Sequence, residues 1–159
     1  MKEFTDTEGR KWVVAMTVAA ARRVLDLVDV NLMDPAQGDP PLLTRLGTDV
    51  MLLVDVIFAV VKPQADQRNI SDEDFGAALG GDVVLAARTA FFQEMSSFFE
   101  SLGRRDIVQA MASQNRLVDA AISLSEQKIA EFPMDQELAR IYGGSPTKPP
   151  AESESTPDQ

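Results

Sequence analysis

The chain has 159 residues, 45% hydrophobic and 25% charged, with a formal net charge of −10 and neither cysteine nor histidine. That length predicts one domain with a proper core. The missing residue types exclude disulfides, thiol and Ser–His nucleophiles and the commonest metal ligands, and the acidic balance argues against direct binding to nucleic acid or anionic membranes.

Lys2–Thr5 and Arg10–Met16 flank Asp6-Thr7-Glu8-Gly9 and read as a β-hairpin, with Gly9 free to take positive φ in the turn. Trp12, Val14 and Met16 share one strand face, and Lys11, Val13 and Ala15 share the other. A lone hairpin is marginal in water, so one face is expected to lie on helices. The apolar stretch Trp12–Ala21 resembles the core of a signal peptide. Before it, however, Lys2, Arg10 and Lys11 are offset by Glu3, Asp6 and Glu8, which leaves no net positive region.

Thr17 is expected to cap a helix over Val18–Val28. Its apolar face would be Val18, Ala21, Val24, Leu25 and Val28, with Arg22 and Arg23 pointing away. Asp34–Pro41 reads as a Pro- and Gly-containing loop, and Leu42–Leu46 as a short helix ended by Gly47. Thr48 should cap a helix that stops before Pro63. Met51, Leu52, Val54, Ile57, Phe58 and Val61 cover most of its circumference, which marks it as the buried central helix. Asp55 interrupts the most apolar run, which is too short for the ~20 residues of a membrane span. Asp55 is expected on a narrow exposed edge, or in an ion pair with Arg22, Arg45 or Arg88.

Ser71 opens the next helix, with Asp72, Glu73 and Asp74 against the positive end of its dipole. Phe75, Ala78 and Leu79 are its inner face and Gly80-Gly81 its stop. Asp82 should cap a long helix to about Leu102. Its stripe would be Val84, Ala87, Phe91, Met95, Phe98 and Leu102, and Gly103 breaks the chain. Phe58 is thus expected to be more deeply buried than Phe92. A final helix from about Arg104 to Leu138 carries Ile107, Met111, Val118, Ile122, Ile129 and Phe132, diluted by Gln114 and Ser125, with Pro133 kinking or ending it. Gly143–Gln159, rich in Pro, Ser, Thr and Glu, reads as disordered. The expected fold class is mainly α: a short N-terminal β-hairpin (2–16) packed on a compact multi-helix bundle, a long C-terminal helix and a disordered tail (143–159). Residues 1–142 form one domain in this reading.

Candidate chemistry is sparse. Adjacent helix positions diverge, so Asp72-Glu73-Asp74 does not converge on one ion. An EF-hand counted from Asp66 fails at Arg68 and Ile70. Asp74-Phe75-Gly76 matches a kinase tripeptide by coincidence, since no other kinase element is present. Gly80-Gly81 has neither the preceding strand nor the GK[ST] of a phosphate loop. No cofactor or metal is expected. The doublets Phe91-Phe92 and Phe98-Phe99 are the remaining feature. Phe92 and Phe99 lie about 100° round from the stripe. They either pack on the final helix, the favoured reading, or form an exposed patch that marks a partner site. In the second case Phe92, Phe99, Met111, Val118 and Ile122 would be the partner-binding residues.

The hairpin ending in GRKWVV, the apolar helix LLVDVIFAVVKPQAD, the segment ISDEDFGAALGGD, the helix AARTAFFQEMSSFF and Arg104-Arg105 come in that order. Together they resemble small proteins of tailed phages and prophages regarded as tail assembly chaperones. The resemblance covers about Glu3–Arg105, and DEDFGAALGGD with the preceding apolar helix is its most specific part. It implies a non-enzymatic cytoplasmic protein that binds the long helical tape-measure protein and recruits tail-tube subunits around it. It also implies absence from the finished virion and, in many phages, a longer frameshifted form. An acidic, Met-containing helical chain suits reversible capture of apolar helices. The alternatives are an acidic helical adaptor or regulator, with homo-oligomerisation through the final helix, and a small enzyme working with carboxylates alone. A tail-tube gene upstream and a long tape-measure gene downstream would favour the chaperone.

Overall fold

A computed structural model of the chain describes residues 1–131, except for the side chains of Val118, Ala121, Ile122 and residues 128–131. The chain divides into two compact units, Met1–Ala120 and Ala121–Gln159. The second is described only for its helical segment. The tail expected at 143–159, together with Phe132, Pro133 and the expected helix end at Leu138, lies outside the described residues.

The protein is mainly helical with a two-stranded antiparallel hairpin, as the sequence predicts. Strands β1 (Lys2–Thr5) and β2 (Lys11–Val14) are followed by α1 (Val18–Val28), α2 (Leu42–Thr48), α3 (Val50–Gln67), α4 (Asp72–Ala77), α5 (Asp82–Ser101) and α6 (Arg105–Glu131). The register pairs Phe4 with Trp12 and Lys2 with Val14. Phe4, Trp12 and Val14 therefore share the buried face, joined by Met16. Gly9 takes φ 76° in the turn, a value that suits a residue without Cβ.

The turn is held by a group that sequence reading leaves unremarked. The side chain of Asp6 is fully buried. Its Oδ1 accepts the backbone N–H groups of Glu8 (3.0 Å) and Arg10 (2.9 Å), and its Oδ2 accepts Arg10 Nε (2.7 Å) and Trp12 Nε1 (2.8 Å). Burial pushes this carboxyl up. The Trp12 N–H, the Arg10 backbone and the Arg10 guanidinium outweigh it and hold the carboxyl below its ordinary value.

Helix α3 is the central one. It packs against α1, α2, α4, α5 and β2, while β1 lies on α5. The hairpin is thereby clamped between two helices. Phe75 of α4 meets Trp12 edge-on at 5.0 Å and Phe58 at 5.2 Å, which ties hairpin, α3 and α4 into one aromatic cluster. The outer edge of β2 is closed by side chains of α3. Gln64 donates Nε2 to Val13 O (2.7 Å) and accepts Val13 N–H on Oε1 (3.0 Å), and Arg68 Nη1 donates to Lys11 O (2.9 Å). Positions four apart on the helix thus serve alternate residues of the strand. Polar groups that would invite another strand are satisfied within the chain.

Several expectations need correction. Pro63 lies inside α3, which runs on to Gln67. Proline has no N–H for the Ala59 carbonyl four residues back. Arg23 Nη1 supplies the missing donor, reaching Ala59 O at 3.0 Å and Val60 O at 3.1 Å. Arg23 therefore points inward, while Arg22 is exposed. Helix α1 turns Ala20, Ala21 and Val24 to the core, leaving Val18 and Leu25 exposed. Small residues at the contact let two helices approach closely, and bulkier Val18 and Leu25 stay outside.

The cap of α3 is Asp49, which accepts Leu52 N–H at 3.1 Å, and not Thr48, whose hydroxyl donates back to Thr44 O at 2.8 Å. The cap of α5 is Gly81, at φ 51° and ψ −117°, and not Asp82. Asp82 instead is a carboxylate in the first turn, favourable to the helix dipole. Thr17 and Ser71 cap as expected. Ser71 forms a full capping box with Asp74. Asp55 stands on the exposed edge of α3.

Candidate functional site: the groove between α5 and α6

Helix α5 is covered on more of its circumference than a single stripe. Ala87, Ala90, Phe91, Met95 and Phe99 face the core, while Val84 and Phe98 are half-buried and Leu102 is exposed. Glu94 is buried as well. Its Oε1 accepts Met16 N–H at 3.0 Å, and its Oε2 lies 3.0 Å from the α-amino nitrogen of Met1, an ionic contact without hydrogen-bond alignment. The burial order of the two aromatics is the reverse of expectation, since Phe92 is 6% exposed and Phe58 is half-buried. The reason is α6. Its first turns bury Ile107 and Met111 and cover the side of α5 that a single stripe would leave open.

Between the two helices runs a groove of about 350 Å³. Its apolar lining is Leu85 and Phe92 from α5 with Val108 and Met111 from α6, and its polar walls are largely neutral, formed by Thr89, Gln93, Ser96 and Asn115. The lining positions recur every three or four residues along both helices, so the groove follows the helix axes. Arg88 lies with Cζ 5.8 Å from the Phe92 ring centroid, and Asp119 is the one carboxylate in the lining. Leu85, 58% exposed, stands open in the groove, whereas Leu117, 66% exposed, lies outside the lining, two residues from both Asn115 and Asp119 and so on the far face of α6. At the start of α6, Arg104 pairs with Asp106 through Nε–Oδ1 (3.0 Å) and Nη2–Oδ2 (2.9 Å). The hydrogen bond from Arg104 holds the Asp106 carboxyl below its usual range.

Of the residues expected to bind a partner, Phe92 and Met111 are brought together in this groove as parts of its floor. Phe99, 1% exposed, belongs to the core and does not line it. An exposed patch of Phe92 and Phe99 is thus not what the fold presents. The side chains of Val118 and Ile122 lie outside the described residues. Leu85 was missed. Leu85 sits seven residues before Phe92, two turns away on the same face, and that spacing is the signal that could have found it.

The groove's chemistry is that of a surface for apolar side chains. Among the described lining residues Asp119 is the only acid and Arg88 the only base. Among the described residues no three His, Cys, Asp or Glu stand together to hold a metal ion, and no helix is long and apolar enough to cross a membrane. No protein family, curated protein or solved structure matches the chain.

Proposed function

We propose that this protein is a non-enzymatic assembly chaperone of a phage or prophage tail. It acts in the host cytoplasm by holding an apolar helical segment of the tape-measure protein while tail-tube subunits assemble. The observation that carries the reading is the α5–α6 groove, with an apolar floor, largely neutral polar walls and the exposed Leu85 in its lining. Such a trough suits a helix laid along it, with partner side chains as anchors at helical spacing. Burial of apolar area supplies about 25 cal/mol per Å² removed from water, and the flexible Met111 lets the floor adapt to different anchors. The likeness of Glu3–Arg105 to tail assembly chaperones supplies the identity of the partner.

The test is co-purification of a tape-measure protein with this chain, carried out with wild type and with Leu85→Glu. Leu85 is largely exposed, so the variant should fold. Retention by wild type and loss with the variant is the expected result. Equal retention by both would remove the groove from the account, and no retention by either would remove the partner.

A further inference from the structure

A second groove, on another part of the first unit, has a different character. It has a volume of about 640 Å³ and lies between the end of α1, the outer side of α3 and the start of α4. Its apolar lining comes from Leu27, Val28, Leu52, Phe58 and Ile70. Leu27 is 55% exposed, and Val28, Leu52, Phe58 and Ile70 are only partly covered by the core. Its rim is acidic, with Asp55, Asp66 and Asp72 against one cation, Lys62. Lys62 already pairs with Asp66 at 2.8 Å. Among the described residues, neither Asp55 nor Asp72 has an ion-pair partner.

Lys62 also shows how this site accommodates a cation. Its ammonium lies 5.8 Å from the Phe58 ring centroid and reaches the carboxylate beyond it, so one lysine satisfies both the ring and the rim. The unpaired carboxylates Asp55 and Asp72 offer the same arrangement to an incoming chain. We propose that the α1–α3–α4 groove is a docking site for an amphipathic segment of a partner protein whose apolar anchors are flanked by lysine or arginine. The apolar floor supplies burial, and the uncompensated carboxylates select the sign of the flanking charge and exclude an acidic segment of the same shape. The inference is independent of the tail-assembly reading and of the α5–α6 groove.

The experiment uses the full chain and three synthetic helical peptides. One carries a leucine stripe flanked by lysines, the second has glutamate for every lysine, and the third keeps the lysines but has serine for every leucine. Binding is read by fluorescence anisotropy and mapped by amide chemical shifts. The expected result is binding of the first peptide alone, with shifts at Val28, Leu52, Phe58 and Ile70. Asp55→Lys/Asp72→Lys should weaken it by about tenfold or more, as loss and reversal of close charge pairs does, and should confer binding of the glutamate peptide. That gain is a readout a misfolded variant cannot give. No binding of the leucine–lysine peptide overturns the proposal, as does equal binding of the serine–lysine peptide, which would mean attraction by net charge alone. Shifts confined to the α5–α6 groove also overturn it. So does a full-chain dimer that Asp55→Lys/Asp72→Lys dissociates, because the occupant would then be a second copy.

Discussion

Replacing Asp6 by asparagine probes the hairpin where it is most constrained. Asparagine keeps one carbonyl oxygen, enough for the two backbone N–H groups that Oδ1 accepts, but turns an NH₂ toward Arg10 Nε and Trp12 Nε1. Trp12 is fully buried, so its indole N–H has no water to turn to. An orphaned buried donor costs about 1–3 kcal/mol. The Arg10 side chain is 27% exposed and can be rehydrated, which limits its share to at most about 1 kcal/mol. The sum, about 1–4 kcal/mol, is a large fraction of a typical domain's stability. Trp12 is the single tryptophan, so urea unfolding followed by its fluorescence reports from the site itself, with far-ultraviolet circular dichroism as the second probe. Because the folded carboxyl titrates below its ordinary value of 3.8, its stabilisation is complete above that pH. It is lost as the pH falls through the folded value. The gap between wild type and Asp6→Asn should narrow over that acid range. A gap below about 0.5 kcal/mol at neutral pH, the size of an ordinary surface change, would refute the reasoning, and so would one that does not change with acidification.

Three further outcomes follow from the packing. Phe99→Ala should cost about 3–5 kcal/mol in thermal or urea unfolding and Phe98→Ala clearly less, because Phe99 is buried and Phe98 only partly so. Arg23→Ala should destabilise by about 1–3 kcal/mol by orphaning the Ala59 carbonyl, and by less in a Pro63→Ala background, where residue 63 regains its N–H; additive costs in that double-mutant cycle would deny the compensation. Gln64→Leu should lower stability and raise the rate of aggregation on gentle heating, as light scattering would show, because it leaves both polar groups of Val13 open on a strand edge.

The fold class, the hairpin face and the central position of α3 were legible because they depend on strong, local periodicities. Trp12, Val14 and Met16 alternate, and apolar residues recur on most sides of α3, although the face turned inward is that of Leu53, Val56, Ile57 and Val60, and Met51 of the expected set stands 75% exposed. Caps were legible where one residue had no competitor, as at Thr17 and Ser71. They failed where two neighbours could serve. Asp49 takes the end of α2 and the start of α3 at once, and Gly81 occupies a backbone conformation that an aspartate at that position would resist. Pro63 misled because the donor that rescues its helix, Arg23, is distant in sequence. The faces of α5 misled for a related reason. A stripe assumes one covered side, and the hairpin with α3 and then α6 cover two. The α5–α6 groove was half legible, since Phe92 and Met111 were named without Leu85. The role of Asp6 had no sequence signal beyond that of a turn aspartate, because its donors are assembled by the turn and strand it holds.

The most direct measurement is the soluble fraction of a tape-measure protein expressed with this chain, compared with an empty vector. A clear rise is expected with the wild-type chain and little or none with Leu85→Glu, whose own fold should be unchanged by circular dichroism. A wild-type chain that leaves no more tape-measure protein in solution than the empty vector would contradict the chaperone reading.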